Sequence, residues 1–357
     1  MQTEDERWMR RCLELAERAR GMTSPNPIVG AVVVKDQTVV GEGFHPKAGE
    51  PHGEVFALAS AAEQARGATL YVNLEPCNHQ GRTPPCTGAI LKAGIARVVV
   101  GMVDPNPRVD GSGIDRLRAA GVEVTVGVLA EACRDLNEAF AHAITVGRPF
   151  GIWKYAMTLD GKIAAHTGHS YWVSGEEARA RVHHLRAGVD AVIVGGNTVR
   201  LDNPRLTVRL VAGRNPLRVV LSRRLDLPAR AHLWDQTEAP TLVFTGPDHD
   251  PRFAHHLEAQ GVTVEVVENL TPTAVMARLA ARSCLSVLWE CGGELAWPAL
   301  QEGMIQKLQA FIAPALVGGP APTPLAGEGF ARMDRALRLQ RTQVETVGTD
   351  WLVTGYF

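Results

Sequence analysis

Three residues of this chain have the types and spacing of a zinc ligand set: His52, Cys77 and Cys86. They sit in Pro51-His52-Gly53-Glu54 and in Pro76-Cys77-Asn78-His79-Gln80-Gly81-Arg82-Thr83-Pro84-Pro85-Cys86. Imidazole nitrogen and thiolate sulfur are donors that zinc prefers. Three protein ligands leave the fourth tetrahedral position for water, the layout of a catalytic site rather than a closed structural one. Glu54, two residues past His52, is not needed as a ligand. A carboxylate there can take a proton from the water and pass it to a leaving group. A lone His-x-Glu is a weak signal, and a Pro-Cys after a strand-like run strengthens it. Buried thiols and a helix-capping histidine would explain each residue singly, but not the set.

His-x-Glu and then Pro-Cys is the pattern of the zinc nucleobase deaminases. Their usual Cys-x-x-Cys is stretched here, with eight residues between Cys77 and Cys86. That segment closely resembles the riboflavin-biosynthesis deaminase/reductase family. The resemblance continues through Asp104-Pro105-Asn106-Pro107, Lys154 to Ala164, Trp172, Thr198 to Thr207 and Ile312 to Gly319, and so covers nearly the whole chain. It implies an α/β protein: an N-terminal cytidine-deaminase-like three-layer α/β/α domain, then a C-terminal dihydrofolate-reductase-like α/β domain. The implied cofactors are zinc in the first and NADPH in the second. The implied reactions are hydrolytic deamination of a diamino-hydroxy-phosphoribosylamino-pyrimidine and reduction of its ribosyl group to ribityl. Assembly as a homo-oligomer is implied too.

Composition agrees with a small-molecule enzyme. At 357 residues the chain exceeds what one core usually organises, so two domains are expected. Apolar residues make up 45% and the formal net charge is −1, with no basic stripe for a nucleic-acid polymer. Thr3-Glu4-Asp5-Glu6-Arg7 is polar rather than an apolar leader, and no apolar run is long enough to span a bilayer. Cys12, Cys133, Cys284 and Cys291 have no framework spacing, so a reducing cytoplasm is expected.

The expected first domain, residues 1–147, must deliver His52 and both cysteines to one point. Thr3 with Glu6 reads as a capping box. The helix it opens carries Trp8, Met9, Cys12, Leu13, Ala16 and Ala19 as a core stripe, ended by Gly21. Ser24-Pro25-Asn26-Pro27 is a rigid turn into the strand Ile28 to Val34, apolar on both faces and so expected to be central. Asp36-Gln37 turns the chain into Thr38 to Gly41. Gly53 to Ala65 reads as a helix, Thr69 to Leu74 as a buried strand and Thr87 to Ala93 as the next helix. Two helix N-termini would then converge on the metal, favouring thiolates there. Arg97 to Val103, Ile114 to Ala120 and Val122 to Val126 continue as strand, helix, strand, and Glu131 to Thr145 closes as one helix. Such alternation gives a sheet with helices on both faces. Asn26, His45, His79, Arg82, Asp104 and Asn106 fall in loops beside the metal point. Singly, each is more often a turn or solvated loop residue. The resemblance makes them contacts to the pyrimidine and its ribose phosphate, with His79 and Arg82 on the phosphate.

Gly147-Arg148-Pro149 marks the expected boundary, and residues 148–357 the second domain. Strands are expected at Phe150 to Tyr155, Asp190 to Val194, Leu217 to Leu221, Thr241 to Thr245, Val262 to Val266, Leu285 to Trp289 and Lys307 to Ala313. Helices are expected from a Ser174 cap to Ala187, from Thr273 to Arg282, and after Gly292-Gly293 to Gln301. Leu337 to Val347 and Asp350 to Phe357 read as a closing antiparallel pair. There is no Gly-x-Gly-x-x-Gly. Gly195-Gly196 and Gly292-Gly293 lie between strand and helix, where glycine admits a phosphate to the helix N-terminus, although a tight turn is the commoner reason for such pairs. Ser222-Arg223-Arg224 follows a strand end where an adenine ribose could be held. Ser with Arg favours a 2′-phosphate, and so NADPH; a solvated edge is the plainer reading of the two arginines. The resemblance implies nucleotide contacts from Ala156, Trp172, Thr198, Asp202, Ser222, Gly292, Gly293, Glu294, Leu295, Ala296, Trp297 and Pro298. It implies substrate contacts from Ser170, Arg186, Leu206, Arg209 and Glu290, to which Lys154 is added. Lys154 and Asp202 both remain open as proton-handling or orienting groups. Hydride transfer needs mostly placement from the protein, because the cofactor carries the chemistry.

Three departures from the family pattern stand out. Gly53 replaces a common Ala, Ile305-Gln306-Lys307 replaces residues that are often acidic, and Cys291 between Glu290 and Gly292 is unusual. Two readings compete. One is a single-function zinc deaminase with a non-catalytic second domain, against which Thr198, Glu290 and Gly292-Gly293 stand. The other is a zinc-binding structural or nucleic-acid module closed by His79, against which the near-neutral charge stands. A deaminase of free cytosine or guanine would have no use for Arg82.

Overall fold

The structure, a computed structural model, describes residues 3–79, 84–107 and 109–357. The chain divides into two units, Met1–Gly147 and Arg148–Phe357. Among the described residues, no helix is long and apolar enough to cross a membrane.

In the first unit, helix α1 (Glu4–Glu17) opens on Thr3. The Thr3 hydroxyl accepts the Glu6 N–H while the Glu6 carboxylate accepts the Thr3 N–H, a complete capping box. The strands are β1 (Gly30–Lys35), β2 (Thr38–Phe44), β3 (Thr69–Leu74), β4 (Arg97–Met102) and β5 (Glu123–Val126), and the helices between and after them are α2 (Gly53–Ala61), α3 (Cys86–Ala93), α4 (Ser112–Ala119), α5 (Ala130–Leu136) and α6 (Glu138–Val146). The sheet runs β2-β1-β3-β4-β5, so β1 is interior but β3 is the middle strand. The pairs β1–β2 and β1–β3 are antiparallel, whereas β3, β4 and β5 are parallel. Helix α1 packs on β1, β3 and α5, while α2, α3 and α4 touch in series, giving helix layers around one sheet. Val32, Val33, Leu70, Val72, Val98 and Val99 are fully buried in the core.

Two expected helices are shorter. α2 stops at Ala61, and Ala62–Ala65 follows as a single 3₁₀ turn because Ala62 takes φ +48°. The run Glu131 to Thr145 is broken at Asn137 into α5 and α6. The break serves a buried amide: Asn137 accepts the Ile28 N–H at 2.8 Å and donates to the Ile28 carbonyl at 3.0 Å. From β3, Asn73 accepts the Gly30 N–H at 2.8 Å and also donates to the Ile28 carbonyl, at 2.9 Å. Two side-chain amides thus hold the backbone just after Asn26-Pro27.

The second unit is built on β6 (Phe150–Thr158), α7 (Glu176–Gly188), β7 (Ala191–Gly195), α8 (Gly196–Asp202), β8 (Leu217–Leu221), β9 (Thr241–Thr245), α9 (Pro251–Glu258), β10 (Thr263–Val266), α10 (Pro272–Ala281), β11 (Ser286–Trp289), α11 (Gly293–Gln301), β12 (Lys307–Ala313), β13 (Gln340–Val347) and β14 (Asp350–Tyr356). Its nine-stranded sheet runs β10-β9-β8-β7-β11-β6-β12-β14-β13. The first seven strands are parallel, and β14 and β13 are added antiparallel. β6 continues to Thr158, beyond the expected Tyr155, because β12 pairs with it as far as Ala313. Ser174 is not the cap of α7. Gly175 holds that place, and its N–H donates to the Asp350 carboxylate at 2.7 Å. In β8 the fully buried Arg218 donates to the carbonyls of Arg205, His232, Asp235 and Ala239, tying down the chain on either side of the strand.

Replacing Asn73 with Ala would leave the buried Gly30 N–H without an acceptor. Asn73→Ala is expected to lower the stability of the first unit by about 1–3 kcal/mol. Urea titration of the full chain would show it as an earlier first-unit transition with the second unit's midpoint unmoved.

Two candidate active sites

In the first unit, His52 is the N-cap residue of α2 and Cys86 the first residue of α3. Cys77 lies just past β3. Ligand atoms of the three lie within 4.8 Å of one another, the one such His/Cys/acid group among the described residues. Both sulfurs face the same nitrogen: Cys77 Sγ is 3.5 Å and Cys86 Sγ 3.3 Å from His52 Nδ1. The Cys86 N–H points at Cys77 Sγ at 3.3 Å. Cys77 is lowered to about 4, first by hydrogen bonding from Cys86, against burial, and then by His52. Cys86 is pushed up by sharing its proton with Cys77.

Glu54 follows one residue into α2 and is buried at 2% exposure. Burial raises its carboxyl to about 7. Its Oε2 is buried without a hydrogen-bond partner, a carboxylate oxygen aimed where water or substrate would complete it. Soft donors in a three-point set and this orphaned oxygen together fit zinc with an open position. At Gly53 a Cβ would stand 2.9 Å from the Val29 carbonyl oxygen, so an alanine there would require the backbone entering β1 or the start of α2 to shift.

Of the expected loop residues, His45 stands against the ligand set and Asn26 against His45. The His45 ring meets the His52 ring edge-on, with centroids 5.3 Å apart. His45 Nδ1 lies 3.0 Å from the Pro51 carbonyl, which can only accept, so Nδ1 carries the proton. Nε2 then accepts the Asn26 amide at 3.0 Å. Burial lowers the His45 pKa and keeps this ring neutral. Asp104 is buried and raised to about 6, chiefly by burial; the charges of Glu75, His79 and Cys77 also act on it. Its carboxylate accepts the Asn106 N–H at 2.9 Å. His79 is exposed. Arg82 lies outside the described residues.

The second unit holds a cavity of about 1230 Å³. That exceeds the roughly 300–1,000 Å³ of most small-ligand sites and leaves room for a dinucleotide beside a substrate. Lys154, Ser170, Arg186, Leu206, Arg209 and Glu290 all line it, as do Ala156, Trp172, Thr198, Asp202, Ser222, Gly292, Gly293, Glu294, Leu295 and Pro298. Ala296 and Trp297 do not. α11 turns Ala296 fully into the core, and Trp297 packs edge-on against Phe330.

At one end, Arg186 grips Glu290 in a two-pronged ion pair at 2.6 and 2.9 Å. Burial would raise Glu290, but Arg186, helped by Lys154 and His183, holds it at about 2. Burial lowers the Lys154 ammonium. His183 is lowered to about 4 by burial and then by Arg186 and Arg209, so it is neutral and its Nδ1 accepts the Arg209 N–H at 2.9 Å. Farther along, Trp172 is 68% exposed on the wall with the Arg179 guanidinium 4.6 Å over its ring, leaving an aromatic face free for stacking. The Ser170 hydroxyl and Tyr171 hydroxyl both bond to Asp202. Near Ser222, the Asp226 carboxylate sits 3.3 Å from Oγ and 3.0 Å from Arg200. Arg223 lines the cavity, whereas Arg224 does not. His183, Arg200 and Asp226 were not expected from sequence. Each is a lone polar residue in a helix or turn, made relevant only by a partner distant in sequence.

Residues 2–102 match the cytidine and deoxycytidylate deaminase zinc-binding region, and residues 149–353 match the RibD C-terminal domain. Riboflavin biosynthesis protein RibD of Synechocystis sp. is 60% identical over 353 residues, spanning 99% of this chain and 96% of that one. RibD of Aquifex aeolicus is 43% identical over 350 residues, spanning 98% and 97%. The solved diaminohydroxyphosphoribosylaminopyrimidine deaminase/5-amino-6-(5-phosphoribosylamino)uracil reductase of Thermotoga maritima is similar at TM-score 0.88 and 38% identity, over 99% of this chain and 98% of that one. Acinetobacter baumannii RibD is similar at TM-score 0.89 and 39% identity, over the same shares. With both regions matched and full-length relatives at this identity, the chain belongs to the RibD family of bifunctional riboflavin-biosynthesis deaminase/reductases.

Proposed function

We propose that residues 1–147 convert the exocyclic amine of a diamino-hydroxy-phosphoribosylamino-pyrimidine to a carbonyl, releasing ammonia, and that residues 148–357 reduce the ribosyl group of the product to ribityl. The observation that carries this reading is the partly buried His52/Cys77/Cys86 set with the unpaired oxygen of the buried Glu54 beside it. When bound by these three residues, zinc supplies the Lewis acidity that makes water a nucleophile near neutral pH. Glu54 takes a proton from the water and delivers it to the departing amine. Asn26, His45, Asp104 and Asn106 offer polar groups to the pyrimidine, and His79 with Arg82 a basic grip on its phosphate.

In the second unit, NADPH when bound supplies the hydride. Ala156, Thr198, Asp202, Ser222, Gly292 to Leu295 and Pro298 form its wall, with the exposed face of Trp172 available to stack. Glu290 keeps Arg186 in place, and the Arg186 and Arg209 guanidinium groups face the ribose phosphate together. Lys154, beside Glu290 and partly desolvated, orients the sugar end. Near-neutral net charge favours a small anionic substrate over a nucleic acid or a membrane surface. Six free cysteines suit a reducing cytoplasm. Self-assembly is supported by β13, an edge strand of eight residues, seven of them exposed, with Val344 at 65% exposure.

Purified zinc-loaded protein is expected to release ammonia from the diamino pyrimidine phosphate and then oxidise NADPH. Glu54→Gln should cut ammonia release about 10²- to 10⁴-fold and still reduce pre-deaminated substrate. Ammonia without NADPH oxidation, even from pre-deaminated substrate, would make the second unit a scaffold. The Arg186–Glu290 pair sets a pH slope. Glu290 is lowered from 4.5 to about 2, so its contribution to folding is complete above about 4.5 and drains away as pH falls towards about 2. Thermal melts of the second unit should decline over that window in wild type and less so in Glu290→Gln. Sedimentation should find an oligomer that Val344→Lys shifts toward monomer; a monomeric wild type would end the assembly proposal.

A further inference from the structure

Glu75 stands between the end of β3 and Cys77 and is 3% exposed. Buried carboxylates usually meet a cation. This one instead accepts four backbone N–H groups. Oε2 takes those of Asp104 at 3.1 Å and Gly111 at 3.0 Å. Oε1 takes those of Gly113 at 2.9 Å and Ile114 at 3.3 Å. Gly113 and Ile114 belong to the first turn of α4, whose own N-cap, Gly111, has no side chain to offer. Glu75 therefore caps α4 from another element, with its negative charge at the positive end of the helix.

The neighbours of Glu75 make the same crossing. The Asn78 amide donates to the Ser112 carbonyl at 3.3 Å, and its oxygen accepts from Thr87 at 3.0 Å and Arg116 at 2.8 Å. At Gly113 a Cβ would stand 2.1 Å from the Pro76 carbonyl oxygen, so α4 can lie this close only with glycine there. The Pro76-Cys77 step is thus clamped on both sides to one stretch of chain. That stretch carries Asp104 and Asn106.

We propose that Glu75 is a positioning residue of the deamination site. One carboxylate oxygen holds both Asp104 and Gly111, and so sets where Asp104 and Asn106 stand relative to the metal ligand two residues further on. Glu75 itself touches neither metal set nor substrate. The inference rests on the deamination reading above. An amide cannot replace the carboxylate, because its NH₂ would face two N–H donors. Aspartate keeps both acceptors but falls one methylene short.

The test is steady-state ammonia release by the full zinc-loaded chain with Glu75→Gln and Glu75→Asp. Glu75→Gln is expected to raise KM about tenfold while kcat changes far less. Zinc content and reduction of pre-deaminated substrate should stay at wild-type levels, and Glu75→Asp should fall between. Were Glu75→Gln to lose its first-unit melt, the KM of Glu75→Asp would carry the test. An unchanged KM, or zinc loss with a fall in kcat alone, would overturn the proposal, the second by showing that Glu75 serves Cys77 rather than the segment beyond. A wild type that releases no ammonia is a different failure, and sinks the deamination reading itself.

Discussion

The first unit depends on two helix N-termini meeting at one point. His52 and Cys86 sit at the starts of α2 and α3, and their donor atoms come within hydrogen-bonding distance of each other. Such a meeting concentrates positive potential where thiolates and a buried carboxylate would otherwise repel one another. Much of the surrounding architecture keeps the chain close enough for this. Gly53 lets α2 lie against the Val29 carbonyl, and Gly113 lets α4 lie against Pro76. Neither position tolerates a methyl group without moving backbone.

The second unit solves a different problem. Its reaction asks for a large cleft with charge at fixed places, supplied by Lys154 on β6, Arg186 on α7, Arg209 ahead of β8 and Glu290 just past β11. The Arg186–Glu290 pair shows how placement is enforced. A guanidinium alone on an apolar wall would be mobile and costly to desolvate. A buried carboxylate in two-pronged contact fixes its plane, at the expense of some of its attraction for an anion. His183, neutral and accepting the Arg209 backbone N–H, fixes the main chain at the second arginine without adding a competing charge, while the Arg209 guanidinium donates to the Thr207 hydroxyl.

Scarce residue types in fixed spacing made the metal set legible from sequence: His, Cys and Cys with Glu two residues along have few other reasons to occur together. The strand and helix alternation was legible for the same reason that periodicity usually is, since buried faces repeat. What escaped was set by partners far along the chain. Asn137 interrupts a helical pattern because it serves Ile28, and nothing around it announces that. Glu75 reads as an ordinary residue before a proline, because backbone N–H donors carry no side-chain signature. Ala296 and Trp297 were included by continuity of a motif, but a helix turns successive residues by about 100°, so an unbroken run cannot all face one cavity. Arg200 and Asp226 needed the fold to bring α8 beside the end of β8.

The double clamp on Ile28 also orders events in time. Every residue assigned to the deamination chemistry lies before Pro107, yet the Ile28 backbone is satisfied by an amide 109 residues further along. On the ribosome, the first 107 residues of this unit would emerge with all these groups but with only one of the two amides, Asn73, to hold the chain near Ile28. The Ile28 N–H gains its side-chain acceptor only when Asn137 has left the exit tunnel, almost at the junction with the second unit, so the clamp on this backbone is completed late in synthesis.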